Sequence, residues 1–151
     1  MGTIEVSTDR MVHAPADVVY GYVAGLREHR PHYLPGALSD FVVEAGGVGA
    51  GTVVRFRITA GGRSRAYEMA VAEPEPGRVL TESDRGSSLV TTFTVIPNDA
   101  VSRVKIATTW QGAGGVGGIF ERLFAPRVLR RLYAEELERL DAYAQELAKA
   151  T

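Results

Sequence analysis

Apolar and polar residues follow two different periods along this chain. Over residues 3–110 apolar positions mostly alternate with polar ones, which is typical of strands that bury one face. From Pro126 to Lys149 apolar residues instead recur at intervals of three and four, as they do on one face of a helix. That stripe comprises Leu129, Leu132, Tyr133, Leu137, Leu140, Tyr143, Ala144 and Leu147. The pattern predicts a long C-terminal helix whose apolar face packs against a sheet.

The alternating part predicts about seven strands and one short helix. The helix opens at residues 14–17 (APAD), because proline suits a first helical turn and Asp17 places negative charge at the positive helix end. Residues 27–36 contain two prolines and predict an irregular turn or one more helical turn. Pro126 is expected to separate a short helical stretch at residues 119–124 from the main helix. The predicted strands cover residues 3–12, 38–45, 52–59, 63–72, 78–84, 89–95 and 103–110.

The order of these elements predicts the fold class. Strand, short helix, six strands in hairpin succession and one long helix indicate an antiparallel sheet, because the connections are of hairpin length. We therefore expect an α+β fold in which a curved antiparallel sheet of about seven strands wraps around the C-terminal helix. Sheet and helix need not fill the space between them, which leaves room for an internal cavity. The length of 151 residues predicts one domain spanning residues 1–151.

Composition excludes several classes of function. The chain has no cysteine, so it has neither disulfides nor thiol chemistry. Its formal net charge of -1 gives no electrostatic case for binding nucleic acid. No apolar run approaches the ~20 residues of a membrane span. The first ten residues, MGTIEVSTDR, lack the apolar core of a secretory signal, so a cytoplasmic location is expected.

Four stretches resemble one known superfamily in their order and spacing. These are residues 12–20 (VHAPADVVY), 32–35 (HYLP), 49–52 (GAGT) and 73–78 (EPEPGR). Together they resemble the SRPBCC superfamily, also called START-like or helix-grip proteins, and within it the polyketide cyclase/dehydrase branch. The resemblance covers essentially the whole chain. Residues 98–103 depart from it, since an Asn-Asp turn stands where many relatives have a glycine-rich hairpin.

The resemblance implies a cavity between the sheet and the C-terminal helix, whereas composition alone favours a filled core. The predicted inward wall is apolar and aromatic with a few hydroxyls, as ligand pockets often are. Tyr33 is added from the loop at the expected cavity mouth. The predicted ligand-binding residues are Tyr33, Phe56, Tyr67, Met69, Thr91, Phe93, Thr108, Trp110, Phe120 and Phe124.

Three motifs that could carry other chemistry have simpler explanations. The run from Gly46 to Thr52 approaches a phosphate-binding loop but lacks its lysine and its following helix, so it predicts a hairpin turn. His29 and His32 are two ligands where zinc needs three or four, so no metal and no cofactor are expected. Strand parity places most charged residues on the convex, solvated face as cross-strand ion pairs. This charged set is Arg55, Arg57, Arg63, Arg65, Arg103 and Glu68, with Glu82 and Asp84 of uncertain direction.

Three functional hypotheses follow. The first is binding of an apolar or aromatic small molecule, polyketide-like or lipid-like, in the cavity. The second is catalysis of polyketide cyclisation or dehydration there, with His32, Tyr67 or Glu82 moving protons. No Ser/His/Asp set and no pair of inward carboxylates can be assembled from the sequence. The third is a protein-interaction module. The oligomeric state, monomer or homodimer, stays open.

Overall fold

The computed structural model describes residues 3–111 and 126–150. Two α-helices and seven strands form this part of the chain, with a short 3-10 helix at Arg30–His32 between α1 and β2. Phe120 and Phe124, predicted as ligand-binding residues, lie outside the described residues, as does the predicted helical stretch at 119–124. The elements are β1 Thr3–Val12, α1 Ala16–Ala24, β2 Leu38–Ala45, β3 Val53–Ala60, β4 Arg63–Glu75, β5 Val79–Asp84, β6 Val90–Asn98, β7 Val101–Gln111 and α2 Pro126–Lys149.

The strands form one antiparallel sheet in the order β1-β7-β6-β5-β4-β3-β2. Strands β2 to β7 follow one another as hairpins. The last strand, β7, also pairs with β1, with Val6 opposite Thr108. The predicted α+β helix-grip fold is confirmed, including the bounds of β1, β2 and α2. In the described part of the chain, no helix is long and apolar enough to cross a membrane.

The loop between β2 and β3 is a hairpin turn, as the glycine run predicted. Glu73 on β4 holds it in place, accepting hydrogen bonds from the Ala50 backbone amide at 2.8 Å and the Tyr20 hydroxyl at 2.7 Å. Gly49 has a φ of 62°, and a Cβ atom there would lie 2.2 Å from the Glu73 carboxylate. The loop is therefore fastened to α1 and β4, and its glycine is required by this close approach.

Helix α2 packs its predicted apolar stripe onto the sheet. Six of its eight stripe residues are buried, whereas Tyr143 and Leu147 are partly exposed. Two acidic residues, Glu136 and Asp141, are also buried on this side. Asp141 accepts a hydrogen bond from the His13 backbone amide at 2.9 Å and pairs with Arg10 at 3.3 Å. These contacts fasten the middle of α2 to the end of β1.

The concave face is more polar than strand parity suggested. Arg55 and Arg57 do point outward, where Arg55 pairs with Glu44. Arg65 shares its side of β4 with Tyr67, and its guanidinium lies 4.4 Å from the centre of that ring. Glu82 and Asp84 point inward with Leu80, as the buried positions of β5 alternate. The expectation that Arg65 forms a pair on the convex face was therefore wrong, because residues 65 and 67 have the same parity.

Candidate functional site

A cavity lies between the concave face of the sheet and the first half of α2. Its volume is about 30 Å³. Most of its wall is apolar, with charged groups at one place. It is lined by Arg30, Leu38, Phe56, Ile58, Tyr67, Met69, Glu82, Leu89, Thr91, Phe93, Leu129, Leu132, Tyr133 and Glu136.

Three buried side chains form the charged part of this wall. One Nη atom of Arg30 contacts Glu82 at 2.7 Å, and Nε of Arg30 lies 2.7 Å from Oε2 of Glu136. The side chains are 4%, 1% and 2% exposed, respectively. We call this set the Glu-Arg-Glu triad. When all three groups are ionised it carries one net negative charge in a nearly dry site.

Three separate elements bring the triad together. Arg30 begins the 3-10 helix that follows α1, so the turn aims its side chain beneath α2. Glu82 follows Leu80 by two residues on β5 and shares its inward side. Glu136 comes four residues after Leu132 on α2 and faces the sheet with it. The triad therefore exists only when turn, strand and helix are in their native positions.

Two aromatic rings lie near the central guanidinium. Its carbon lies 5.1 Å from the ring centre of Phe93 and 5.9 Å from that of Phe41. These distances are within the range of cation–π attraction. The rings help to stabilise the cation, and against the effect of burial Glu136 and Glu82 raise the pKa of Arg30, so it keeps its charge inside the core.

The ion pair between Arg30 and Glu136 is close but poorly aligned. Neither Arg30 Nε nor Glu136 Oε2 makes a hydrogen bond, although the two atoms lie 2.7 Å apart and both are buried. Burial raises the pKa of Glu136 to about 7, opposed by the positive charge of Arg30 and reinforced by the negative charge of Glu82. Glu136 therefore combines an unsatisfied acceptor with a titration near neutral pH.

A chain of hydroxyl groups lies beside the triad. Thr91 and Thr108, on neighbouring strands, are 2.8 Å apart between their hydroxyl oxygens, and Thr108 also bonds to the hydroxyl of Tyr133 on α2. Burial raises the pKa of Tyr133 to about 12, so its phenol is neutral at physiological pH. These three hydroxyl groups make this side of the site polar without adding charge.

The structure places the predicted ligand-binding residues in two groups. Phe56, Tyr67, Met69, Thr91 and Phe93 line the cavity. The remaining described residues lie behind or beside it. Thr108 stands behind Thr91, Tyr33 is buried with its hydroxyl donating to the Tyr22 carbonyl at 2.9 Å, and Trp110 is a core residue 1% exposed.

Of the three catalytic candidates, two line the cavity and one does not. Tyr67 and Glu82 line the cavity, and burial raises the pKa of Tyr67 above its usual value. His32 is not brought to the cavity, because it is exposed and its ring stacks on Tyr143 with centroids 5.2 Å apart. His29 contacts the same tyrosine, its Nδ1 lying 2.7 Å from the Tyr143 hydroxyl. The two histidines thus belong to an aromatic cluster on the outside of α2.

The sequence interpretation missed Arg30 and Glu136, and with them the paired inward carboxylates. Glu136 carried a readable signal, since it lies four residues from both Leu132 and Leu140 on the apolar stripe. Arg30 carried none, because neither strand nor helix periodicity extends over the turn in which it lies. The statement that no inward carboxylate pair could be assembled is corrected by Glu82 and Glu136, which meet across one arginine.

This architecture, a seven-stranded sheet gripping a long helix over a lined cavity, defines a helix-grip protein. The family model described as polyketide cyclase/dehydrase and lipid transport matches residues 3–145. The chain therefore belongs to the polyketide cyclase/dehydrase and lipid transport family of the SRPBCC superfamily, as the sequence motifs suggested. A search of curated proteins found no match.

Solved structures agree with this assignment. The NMR solution structure of KanY is 35% identical, with a TM-score of 0.85, and the match covers 96% of this chain and 99% of that one. The Zhui aromatase/cyclase from Streptomyces is 17% identical, with a TM-score of 0.73 and coverage of 95% and 94%. A norcoclaurine synthase from Thalictrum flavum is 18% identical, with a TM-score of 0.72 and 97% coverage of both chains. The last two show a shared fold.

Proposed function

We propose that this protein binds an apolar or aromatic small molecule in the cavity between the sheet and α2. The observation that carries the proposal is the composition of the cavity wall. Apolar and aromatic side chains form most of it, and its ionic groups converge at the Glu-Arg-Glu triad. An apolar wall with a few fixed polar groups is the usual composition of a small-molecule site.

Relatives of the same fold support this proposal. A Thalictrum flavum norcoclaurine synthase, 18% identical and with a TM-score of 0.69, was solved in complex with dopamine and hydroxybenzaldehyde. Both compounds are single aromatic rings with polar substituents. The space between sheet and helix in this protein has a mostly apolar and aromatic wall that suits such rings, so we infer that an aromatic compound occupies it.

Binding requires the cavity to widen. A cavity of about 30 Å³ holds roughly two water molecules, since each water molecule needs roughly 10–15 Å³. Met69 and Leu132 stand on opposite walls, and unbranched methionine adapts easily to a new shape. Leu38, at the start of β2, is only partly buried. We infer that ligand entry moves these side chains and not the sheet.

A bulky residue at Leu38 tests the site. Leu38→Trp is expected to fill the partly exposed side of the cavity and to weaken binding of an apolar fluorescent dye by about tenfold or more, equivalent to ~1.4 kcal/mol. Dye titration and native mass spectrometry with aromatic compounds measure this. Val42→Trp on the same strand is the matched control, because Val42 is 53% exposed and is not in the cavity wall.

The control variant should bind dye like the parent protein. Equal loss in both variants would indicate damage to β2, and circular dichroism distinguishes this from loss of the cavity alone. The proposal is wrong if the parent protein binds no apolar compound, or if Leu38→Trp binds as well as Val42→Trp.

A second candidate function is catalysis of cyclisation or dehydration in the same cavity. The observation that favours it is a buried carboxyl with a pKa of about 7 facing the ligand space. A base of this kind can remove a proton from carbon during ring closure and return it to a departing hydroxyl, which leaves as water. Glu136 would move the proton, and Tyr67 and Glu82 would orient the oxygens of the substrate.

Catalysis can be tested with a linear poly-β-ketone thioester, whose ring closure produces an aromatic chromophore. Glu136→Gln is expected to reduce turnover at least about a hundredfold, the usual contribution of general acid–base catalysis. Glu138→Gln makes the same chemical change at an exposed position of α2 and should retain turnover. No turnover by the parent protein, or full turnover by Glu136→Gln, would contradict this second candidate.

A further inference from the structure

We propose that the Glu-Arg-Glu triad selects ligands bearing a neutral hydroxyl group, phenolic or enolic, and excludes ligands bearing a carboxylate. This inference rests on the proposed binding function and names the class of compound that the cavity takes. It follows from the contacts of Arg30, from the net charge of the triad and from one unsatisfied acceptor atom.

The positive charge of Arg30 is already flanked by two carboxylates. One of its Nη atoms contacts Glu82 at 2.7 Å and its Nε lies 2.7 Å from Glu136 Oε2, so both flanks of the guanidinium face carboxylates. Phe41 and Phe93 lie near its faces. A buried arginine in a ligand pocket usually suggests recognition of a carboxylate or phosphate. Here two carboxylates of the protein already balance that positive charge.

The charge balance works against a carboxylate ligand. When Glu136 is ionised, two carboxylates and one guanidinium leave one net negative charge at the polar end of an otherwise apolar cavity. A third carboxylate there would meet like charge where water screens little, a juxtaposition that costs several kcal/mol. An ammonium group would lose its hydration beside the guanidinium of Arg30. A neutral polar group avoids both costs.

The unsatisfied atom specifies a hydrogen-bond donor. Oε2 of Glu136 is buried, belongs to a residue of the cavity wall and accepts no hydrogen bond. A buried acceptor without a donor is costly, so a ligand that supplies an O–H group there gains the full value of the bond. The hydroxyls of Thr91 and Thr108 already bond to each other, and Thr108 also bonds to Tyr133. Glu136 Oε2 is therefore an unsatisfied acceptor to which a ligand hydroxyl can donate.

Three naphthalene derivatives with the substituent at the same ring position test this selectivity. Naphthol offers a neutral donor, its methyl ether keeps the oxygen without the proton, and naphthoate is an anion. Naphthol is expected to bind about tenfold to a hundredfold more tightly than the ether, the worth of a hydrogen bond to a charged group. Naphthoate is expected to bind more weakly than either. Competition with a cavity-bound dye measures all three.

Variants assign the selectivity to the triad. Glu136→Gln removes the negative charge and keeps the shape, so the preference for naphthol over naphthoate should shrink at least about tenfold. Glu138→Gln, exposed on the same helix, should keep the preference of the parent protein. Equal binding of the three compounds, or tightest binding of naphthoate, would overturn the selectivity while leaving the binding function intact. Binding of none would overturn the binding function itself.

Discussion

Replacing Arg30 by methionine is expected to lower the free energy of unfolding by about 3–5 kcal/mol, the usual cost of removing one partner from a buried ion pair. The substitution keeps an unbranched apolar stem but leaves Glu82 and Glu136 facing each other without a cation. Both carboxylates are almost fully buried, so water cannot replace the missing charge. Urea unfolding followed by circular dichroism measures the loss.

A fully apolar version of the triad is the informative control. The variant Arg30→Met/Glu82→Leu/Glu136→Leu removes the charges together, and such replacements are often neutral or stabilising by about 1–4 kcal/mol. If this variant is at least as stable as the parent protein but no longer discriminates between hydroxyl and carboxylate ligands, the triad serves binding and not stability. A loss below about 1 kcal/mol for Arg30→Met would show that the three charges are not closely coupled.

Glu136→Gln is expected to stabilise the protein relative to its parent increasingly as the pH rises. In the folded protein the pKa of Glu136 is raised from 4.5 to about 7. A carboxyl with a raised pKa leaves stability intact below its unfolded pKa and lowers stability as pH rises through its folded pKa. The advantage of the glutamine variant should therefore grow by about 2–3 kcal/mol between about pH 5 and pH 8.

Unfolding free energies of the two proteins across that pH range test this expectation, because other titrating groups cancel in the difference. The groups that act on the Glu136 carboxyl include Arg30, Glu82 and Glu135, and all three remain in the variant. Glu138→Gln should show a pH-independent difference from the parent protein. If the Glu136→Gln difference is also constant with pH, Glu136 does not titrate near neutrality and its role as a proton carrier fails.

The fold was predictable from the sequence because its signals are local. Alternation within each strand and the stripe of α2 follow from burial of one face, and short polar or glycine-rich connections dictate antiparallel hairpins. The bounds of β1, β2 and α2 agree with the periodicity. The glycine run at residues 46–51 was correctly interpreted as a turn, since its lysine and helix are missing.

The site was only partly predictable, for reasons that lie in the residues themselves. Parity placed Tyr67 and Phe93 inward, but it could not indicate whether an inward residue lines the cavity or, like Trp110, fills the core. Arg30 lies in a 3-10 turn without periodicity, so the contact that joins it to β5 and α2 depends on tertiary structure alone. Arg30 pairs with Glu82 and Glu136, which lie 52 and 106 positions further along the chain, and such distant partners leave no local sequence pattern.

A crystal structure of the complex with naphthol would test directly whether the cavity between sheet and α2 binds an aromatic hydroxyl compound. We expect the ring to lie among Phe56, Met69 and Phe93, with the hydroxyl within hydrogen-bond distance of Glu136 Oε2. The side chain of Leu38 or Leu132 should be displaced from its position in the unliganded cavity wall. A ligand bound instead in the surface groove formed by His32, Arg139, Tyr143 and Leu147, with the cavity unchanged, would contradict it.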